Sequence, residues 1–112
     1  MRLSGWVVQM QTDLERRFND AMVNIYKRAK SETGYNAIRF LSMVVDRGVI
    51  LTARHLINSS NVSEGYEALW GIKRLDLSVE ALVLQPEWAS LFSEDERSIA
   101  RNRLNDYGHK TP

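Results

Sequence analysis

The spacing of apolar residues predicts an all-α protein: a compact, single-domain bundle of five to six helices. Three observations carry this. Leu14, Phe18, Met22, Ile25 and Ala29 recur every three or four residues, which is one stripe of a helix. Thr12 with Glu15, and Ser93 with Glu96, have the spacing of capping boxes. Only two prolines and six glycines interrupt 112 residues, so long segments can stay regular. The length fits one domain around one core. The reading is an N-terminal arm over 1–12, a helical domain over 13–108 and a tail over 109–112 that frays.

Composition excludes several classes. Apolar residues make up 44% and charged residues 26%, an ordinary globular balance rather than a disordered one. The chain has no cysteine, which removes disulfide frameworks and thiolate metal sites and fits a reducing, cytoplasmic compartment. No apolar run is long enough for a membrane span, and Trp6-Val7-Val8 is too short for a signal-peptide core. Net charge is +1, yet residues 1–56 hold nine Lys/Arg against five Asp/Glu, and residues 57–112 hold six against nine. Such a dipolar chain can pair with itself or turn its basic half toward an acidic partner.

The first helix is expected over Asp13–Glu32, with Asp13–Arg17 and Arg16–Asp20 pairs on its surface and Gly34 beyond its end. A second helix over Asn36–Arg47, capped by Asn36, turns Ala37, Phe40, Leu41 and Val44 inward. Gly48 suits a left-handed C′ position. A third helix over Val49–Asn58 buries Val49, Ala53, Leu56 and Ile57. The fourth, Val62–Trp70, has Asn61 and Glu64 in capping-box spacing. Asp76 opens a fifth helix that Pro86 stops. Its run Val79–Leu84 also fits a buried strand, but no partner strand is evident. Glu87–Phe92 reads as one helical turn. The sixth helix starts at Ser93, buries Ile99, Ala100, Leu104 and Tyr107, and ends at Gly108. The first helix should pack along the second and sixth.

Three stretches together carry a likeness. They are Gly65-Tyr66-Glu67-Ala68-Leu69-Trp70, then Arg74 through Leu84, then Pro86-Glu87-Trp88 with Leu91-Phe92 and Ala100-Arg101. With Tyr26 and Gly34-Tyr35-Asn36-Ala37-x-Arg39-Phe40, they resemble a widespread bacterial family of small helical proteins of unassigned function. The likeness spans about residues 13–108 and implies a fold, not an activity. One position departs from it: the family tends to have glycine just before the Arg-Leu-Asp-Leu run, where this chain has Lys73.

The residues that carry chemistry are few. There is no nucleophile elbow, Walker loop or dinucleotide fingerprint, and His55 and His109 show no zinc spacing. No cofactor is implied. Asp76 and Glu80, four apart on one helix face, could hold a cation in a small metal-dependent enzyme. Equally, Asp76 caps a helix and Glu80 pairs with a base such as Arg74. The basic half, with Arg16, Arg17, Lys27, Arg28, Arg47 and Arg54, suits a nucleic-acid-associated protein. Asn36–Asn58 has the outline of a helix-turn-helix, but Arg54 stands where a recognition helix needs an apolar residue. The leading expectation is a non-catalytic interaction module. It would present Tyr35, Arg39, Tyr66, Trp70, Arg74 and Trp88 to a protein partner or to its own copy.

Overall fold

The computed structural model describes residues 12–111. The expected arm, with Trp6-Val7-Val8, lies outside the described residues up to Gln11, as does Pro112. Among the described residues the fold is all-α, with no strand. In chain order come α1 (Asp13–Thr33), α2 (Ile38–Arg47), α3 (Val49–Asn58) and α4 (Glu64–Gly71). A 3-10 turn follows (Leu75–Leu77), then α5 (Val79–Val83), a 3-10 run (Pro86–Leu91) and α6 (Glu94–Asp106).

Two of the three pairs with capping-box spacing form the box. Thr12 Oγ1 accepts from the Glu15 N–H at 3.0 Å, and the Thr12 N–H donates to Glu15 Oε1 at 3.0 Å. Ser93 and Glu96 make the same reciprocal pair. The α1 stripe is buried from Phe18 to Ala29. The ion pairs on its outer surface differ from expectation: Arg16 pairs with Asp13, and Arg17 reaches Glu87 on the 3-10 run packed beside it. Asp13 therefore serves the residue three away rather than Arg17, four away. In α3 all four expected core residues are buried, with Thr52 besides.

Elsewhere the boundaries move for local reasons. Ser63, not Asn61, caps α4, accepting from the Tyr66 N–H at 3.0 Å. Asn36 does not cap α2, because its side chain accepts from the Tyr26 hydroxyl at 2.6 Å instead. Ala37 takes the cap position and offers no side-chain hydrogen bond. Gly48 adopts φ 84° and ψ 168°, an extended mirror-image conformation open essentially to glycine alone, rather than the left-handed helical one. Ser78 breaks the expected fifth helix in two. Its hydroxyl donates to the Leu75 carbonyl at 2.7 Å and accepts from the Ala81 N–H at 3.1 Å. Asp76 is left in the 3-10 turn before that break. Val79–Val83 is helical, which settles the strand alternative.

The core forms where α1, α3, α5 and the two 3-10 segments meet, with α6 closing it against α3 and α5. The expected packing of α1 along the second and sixth helices is therefore corrected: its principal neighbours are α3 and α5. Phe18 meets Trp88 and Phe92 edge-on, each with ring centroids 5.3 Å apart. Ile99, expected inside, faces outward. The tail does not run free at its start. The His109 N–H donates to the Leu104 carbonyl, and Thr111 reaches the Asn105 side chain.

Two helices end in the same motif on different residues. After α6, the Gly108 N–H bonds to the Asn105 carbonyl and the His109 N–H to Leu104, with Gly108 at φ 80°. After α4, the Lys73 N–H bonds to Trp70 and the Arg74 N–H to Leu69, with Lys73 at φ 60°. Lys73 is the only non-glycine residue at positive φ among those described. The left-handed conformation costs an L-residue about 1–2 kcal/mol. Glycine removes that cost but loses about 0.4–1 kcal/mol through its freer unfolded state. Lys73→Gly is therefore expected to stabilise by about 0.5–1 kcal/mol, read as a higher denaturant midpoint at unchanged slope. A lower midpoint would contradict this account of the turn.

Candidate functional site

Of the six side chains expected to form one contact surface, Tyr35, Arg39 and Tyr66 line one cavity, and Trp70, Arg74 and Trp88 lie outside it. Trp88 is 3% exposed and Tyr66 2% exposed, so both belong to the core and neither can meet a partner. Trp70 is half exposed, with its ring edge-on to Tyr107, which in turn meets Tyr66 at 5.0 Å. Arg74 lies elsewhere. Its guanidinium donates to Asp76 at 3.0 Å and 3.1 Å and to Glu32 at 2.8 Å, tying the 3-10 turn to the end of α1. Hydrogen bonds from Arg28 and Arg74 hold the Glu32 carboxyl down at about 2. The bonds that Arg74 donates to Asp76 and then to Glu32 raise its own guanidinium pKa further.

Asp76 and Glu80 do not share a face, because the chain breaks between them at Ser78. Asp76 is taken by Arg74, which lowers its pKa. Glu80 is 2% exposed and pairs with Arg103, not Arg74, at 2.9 Å. Among the described residues no group of three or more His, Asp or Glu side chains is placed to hold a metal ion.

Arg103 is the residue that sequence reasoning missed. From α6 it donates to Glu80, to the Leu56 carbonyl at 3.1 Å and to the Ser59 carbonyl at 2.8 Å. It thus satisfies carbonyls at the end of α3 that have no helical partner. The Tyr66 hydroxyl donates to its backbone carbonyl at 3.1 Å. Burial pushes the Glu80 carboxyl up from its ordinary value, and the bond from Arg103 opposes that rise. A signal was available: Glu80 interrupts the apolar run Leu77–Leu84, and a carboxylate buried there requires a cation.

The basic side chains mostly spend their charge within the molecule. Arg16, Arg17, Arg28 and Arg54 each face a carboxylate: Asp13, Glu87, Glu32 and Glu96. Arg54 also donates to the Leu91 carbonyl at 3.1 Å, which holds α3 to the 3-10 run rather than leaving it for an external phosphate. Lys27 and Arg47 are exposed and have no ion pair among the described residues.

The least satisfied element is α2. It has no fully buried residue, packs chiefly on α3 and is flanked by Gly34 and Gly48, both at positive φ. Phe40, Met43 and Val44 turn half inward. Leu41, expected in the core, lies on the other side with Ile38 and Val45. These are 62% (Ile38), 36% (Leu41) and 77% (Val45) exposed. The three fall at i, i+3 and i+7, one stripe of the helix. Beneath α2 lies a cavity of 460 Å³ walled by α1, α4 and the start of α5. Among the described residues no helix is long and apolar enough to cross a membrane. Compared with known proteins, the chain matches no family model, no curated protein and no solved structure.

Proposed function

We propose that this protein is a non-catalytic interaction module that associates with its own copy through the outer face of α2, working in the cytoplasm. The observation that carries the reading is the exposed stripe Ile38, Leu41, Val45 on a helix already apolar on its inner side. A helix apolar on both faces in a small globule has a second surface to bury. The stripe offers about 300 Å², at the low end of the largest apolar patches on single-chain proteins, which are often functional.

The stripe is self-complementary. In an antiparallel two-fold pairing Ile38 of one copy meets Val45 of the other, and Leu41 lies near the axis. Helical geometry puts Arg39 and Asp46 on the same flank of the stripe. The two-fold therefore sets each Arg39 beside the other copy's Asp46. Asp46 has no ion pair among the described residues, and Arg39 holds Glu64 only at 3.9 Å with both side chains exposed. The small area predicts a weak dimer, with a dissociation constant on the order of 100 μM.

Sedimentation of the protein over a range of concentrations tests this. The wild type is expected to move from monomer to dimer, and Val45→Asp to stay monomeric with an unchanged melting temperature. Asp46→Arg should weaken the dimer, and adding Arg39→Asp should restore it. A wild type that remains monomeric at millimolar concentration would overturn the reading.

A further inference from the structure

We propose that the concavity between the C-terminal ends of α4 and α6 is a binding site for a small planar aromatic carboxylate. It measures 650 Å³, within the range of sites that hold small molecules. Trp70, Lys73 and Leu75 wall it from α4 and the turn that follows, and Tyr107 and His109 from the end of α6.

The aromatic wall is preorganised. Tyr66 is buried, and its hydroxyl is fixed on the Arg103 carbonyl. Tyr107 stands edge-on to Tyr66 with ring centroids 5.0 Å apart, and Trp70 edge-on to Tyr107 at 5.4 Å. The stack runs outward from the core and ends on Trp70, which is 51% exposed. A half-exposed indole held by a fixed neighbour offers a planar apolar face to another ring.

The polar groups select the charge. Neither the Lys73 nor the His109 side chain has an ion pair or hydrogen bond among the described residues. The same holds for the Trp70 indole N–H and the Tyr107 hydroxyl. All four can donate, and among the described residues no carboxylate lines the space. The Leu69, Trp70, Leu104 and Asn105 carbonyls already accept from the two capping turns, so few acceptors remain for a cation. The group that fits is an acceptor with a single negative charge. The ends of α4 and α6 each carry a partial negative charge, which disfavours a dianionic phosphate.

The backbone adds an independent observation. The two capping turns are alike in hydrogen bonding, yet one has Gly108 at its left-handed position and the other Lys73 at φ 60°. A non-glycine residue held there costs stability, and such residues cluster at binding sites. The strain keeps an ammonium group beside the concavity, where it meets the carboxylate.

Titration of the full chain with 2-naphthoate, followed by amide and indole NMR, tests the proposal. Saturable, one-to-one shifts are expected at the Trp70 indole N–H and at the Lys73, Gly108 and His109 amides. Lys73→Gly should bind at least tenfold more weakly while melting no lower than the wild type, and Lys73→Arg should retain binding. Trp70→Ala should also lose at least tenfold. A cationic counterpart, 2-naphthylmethylamine, and adenosine monophosphate should each bind at least tenfold more weakly than the naphthoate. Val45→Asp, which removes self-association, should bind as the wild type does. No saturable shift at millimolar naphthoate, shifts confined to the cavity beneath α2, unchanged affinity in Lys73→Gly, or equal affinity for the amine or the nucleotide would each overturn the proposal.

Discussion

Arg103→Met is expected to destabilise the protein by about 3–5 kcal/mol, the cost of removing one partner from a buried ion pair. The substitution keeps the length of the stem but takes the donor away from Glu80, which has almost no exposure. It also frees the Leu56 and Ser59 carbonyls, to which Arg103 donates at 3.1 Å and 2.8 Å. Against a total stability of about 5–15 kcal/mol for a domain, this is a large share. A thermal or urea melt reads it directly.

The loss carries a pH signature whose sign follows from burial. In the wild type, burial raises the Glu80 carboxyl and Arg103 opposes the rise. Without Arg103, the rise is opposed only by the bond from the backbone N–H of Glu80. The folded variant then holds a proton that the unfolded chain has released across the window above the ordinary carboxylate value. Stability of the variant therefore increases as pH falls through that window and decreases as pH rises through it. Pairing Arg103→Met with Glu80→Leu removes the orphaned charge and should recover part of the loss, leaving the α3 carbonyls as the residue of the damage. A single variant as stable as the wild type at neutral pH would show that the pair does not hold these helices.

Phe18→Ala should cost about 3–5 kcal/mol, in the range for removing a large aromatic from a core. Phe18 is fully buried and is the ring shared by two edge-on contacts, to Trp88 and to Phe92. It fastens α1 to the 3-10 run and to the residue just before the α6 cap. The two rings that remain are fixed on the 3-10 run and at its C-cap and cannot both shift to fill the space it leaves. The expected readout is a lower urea midpoint at unchanged slope. Val45→Ala is the matching control. That side chain is 77% exposed in the monomer, so truncation should change stability by no more than about 0.5 kcal/mol.

The contrast between Phe18 and Val45 marks what the sequence made legible. Where one stripe of a helix is apolar and the rest charged, as in α1, periodicity names the buried face correctly. The capping boxes at Thr12 and Ser93 are equally local, requiring only two residues at fixed spacing. In α2 the same reasoning fails, because Ile38, Phe40, Leu41, Met43, Val44 and Val45 leave little polar face to exclude. Periodicity then cannot say that Leu41 turns out while Met43 turns in. That choice is made by packing on α3.

The candidate site was less legible for a related reason. Asp76 and Glu80 have helical spacing, but Ser78 forms a cap between them, and that hydroxyl decides the geometry. The partner of Glu80 lies 23 residues away on α6, and no local pattern ties the two together. Trp70 and Trp88 look alike in the sequence. One ends at the surface beside Tyr107 and the other beneath α1, a difference set by which side of the core each segment passes.

Hydrogen exchange of the α2 amides at low and high protein concentration tests the reading of that helix most directly. Among dilute molecules, these amides should exchange well before those of α1, α3 and α6, since α2 is anchored by half-buried side chains alone. As concentration rises, they should slow while the other helices keep their rates, because the stripe becomes covered by a second copy. If α2 were as protected as α3 in dilute solution, with no change on concentration, its outer face would be neither loosely held nor a contact surface.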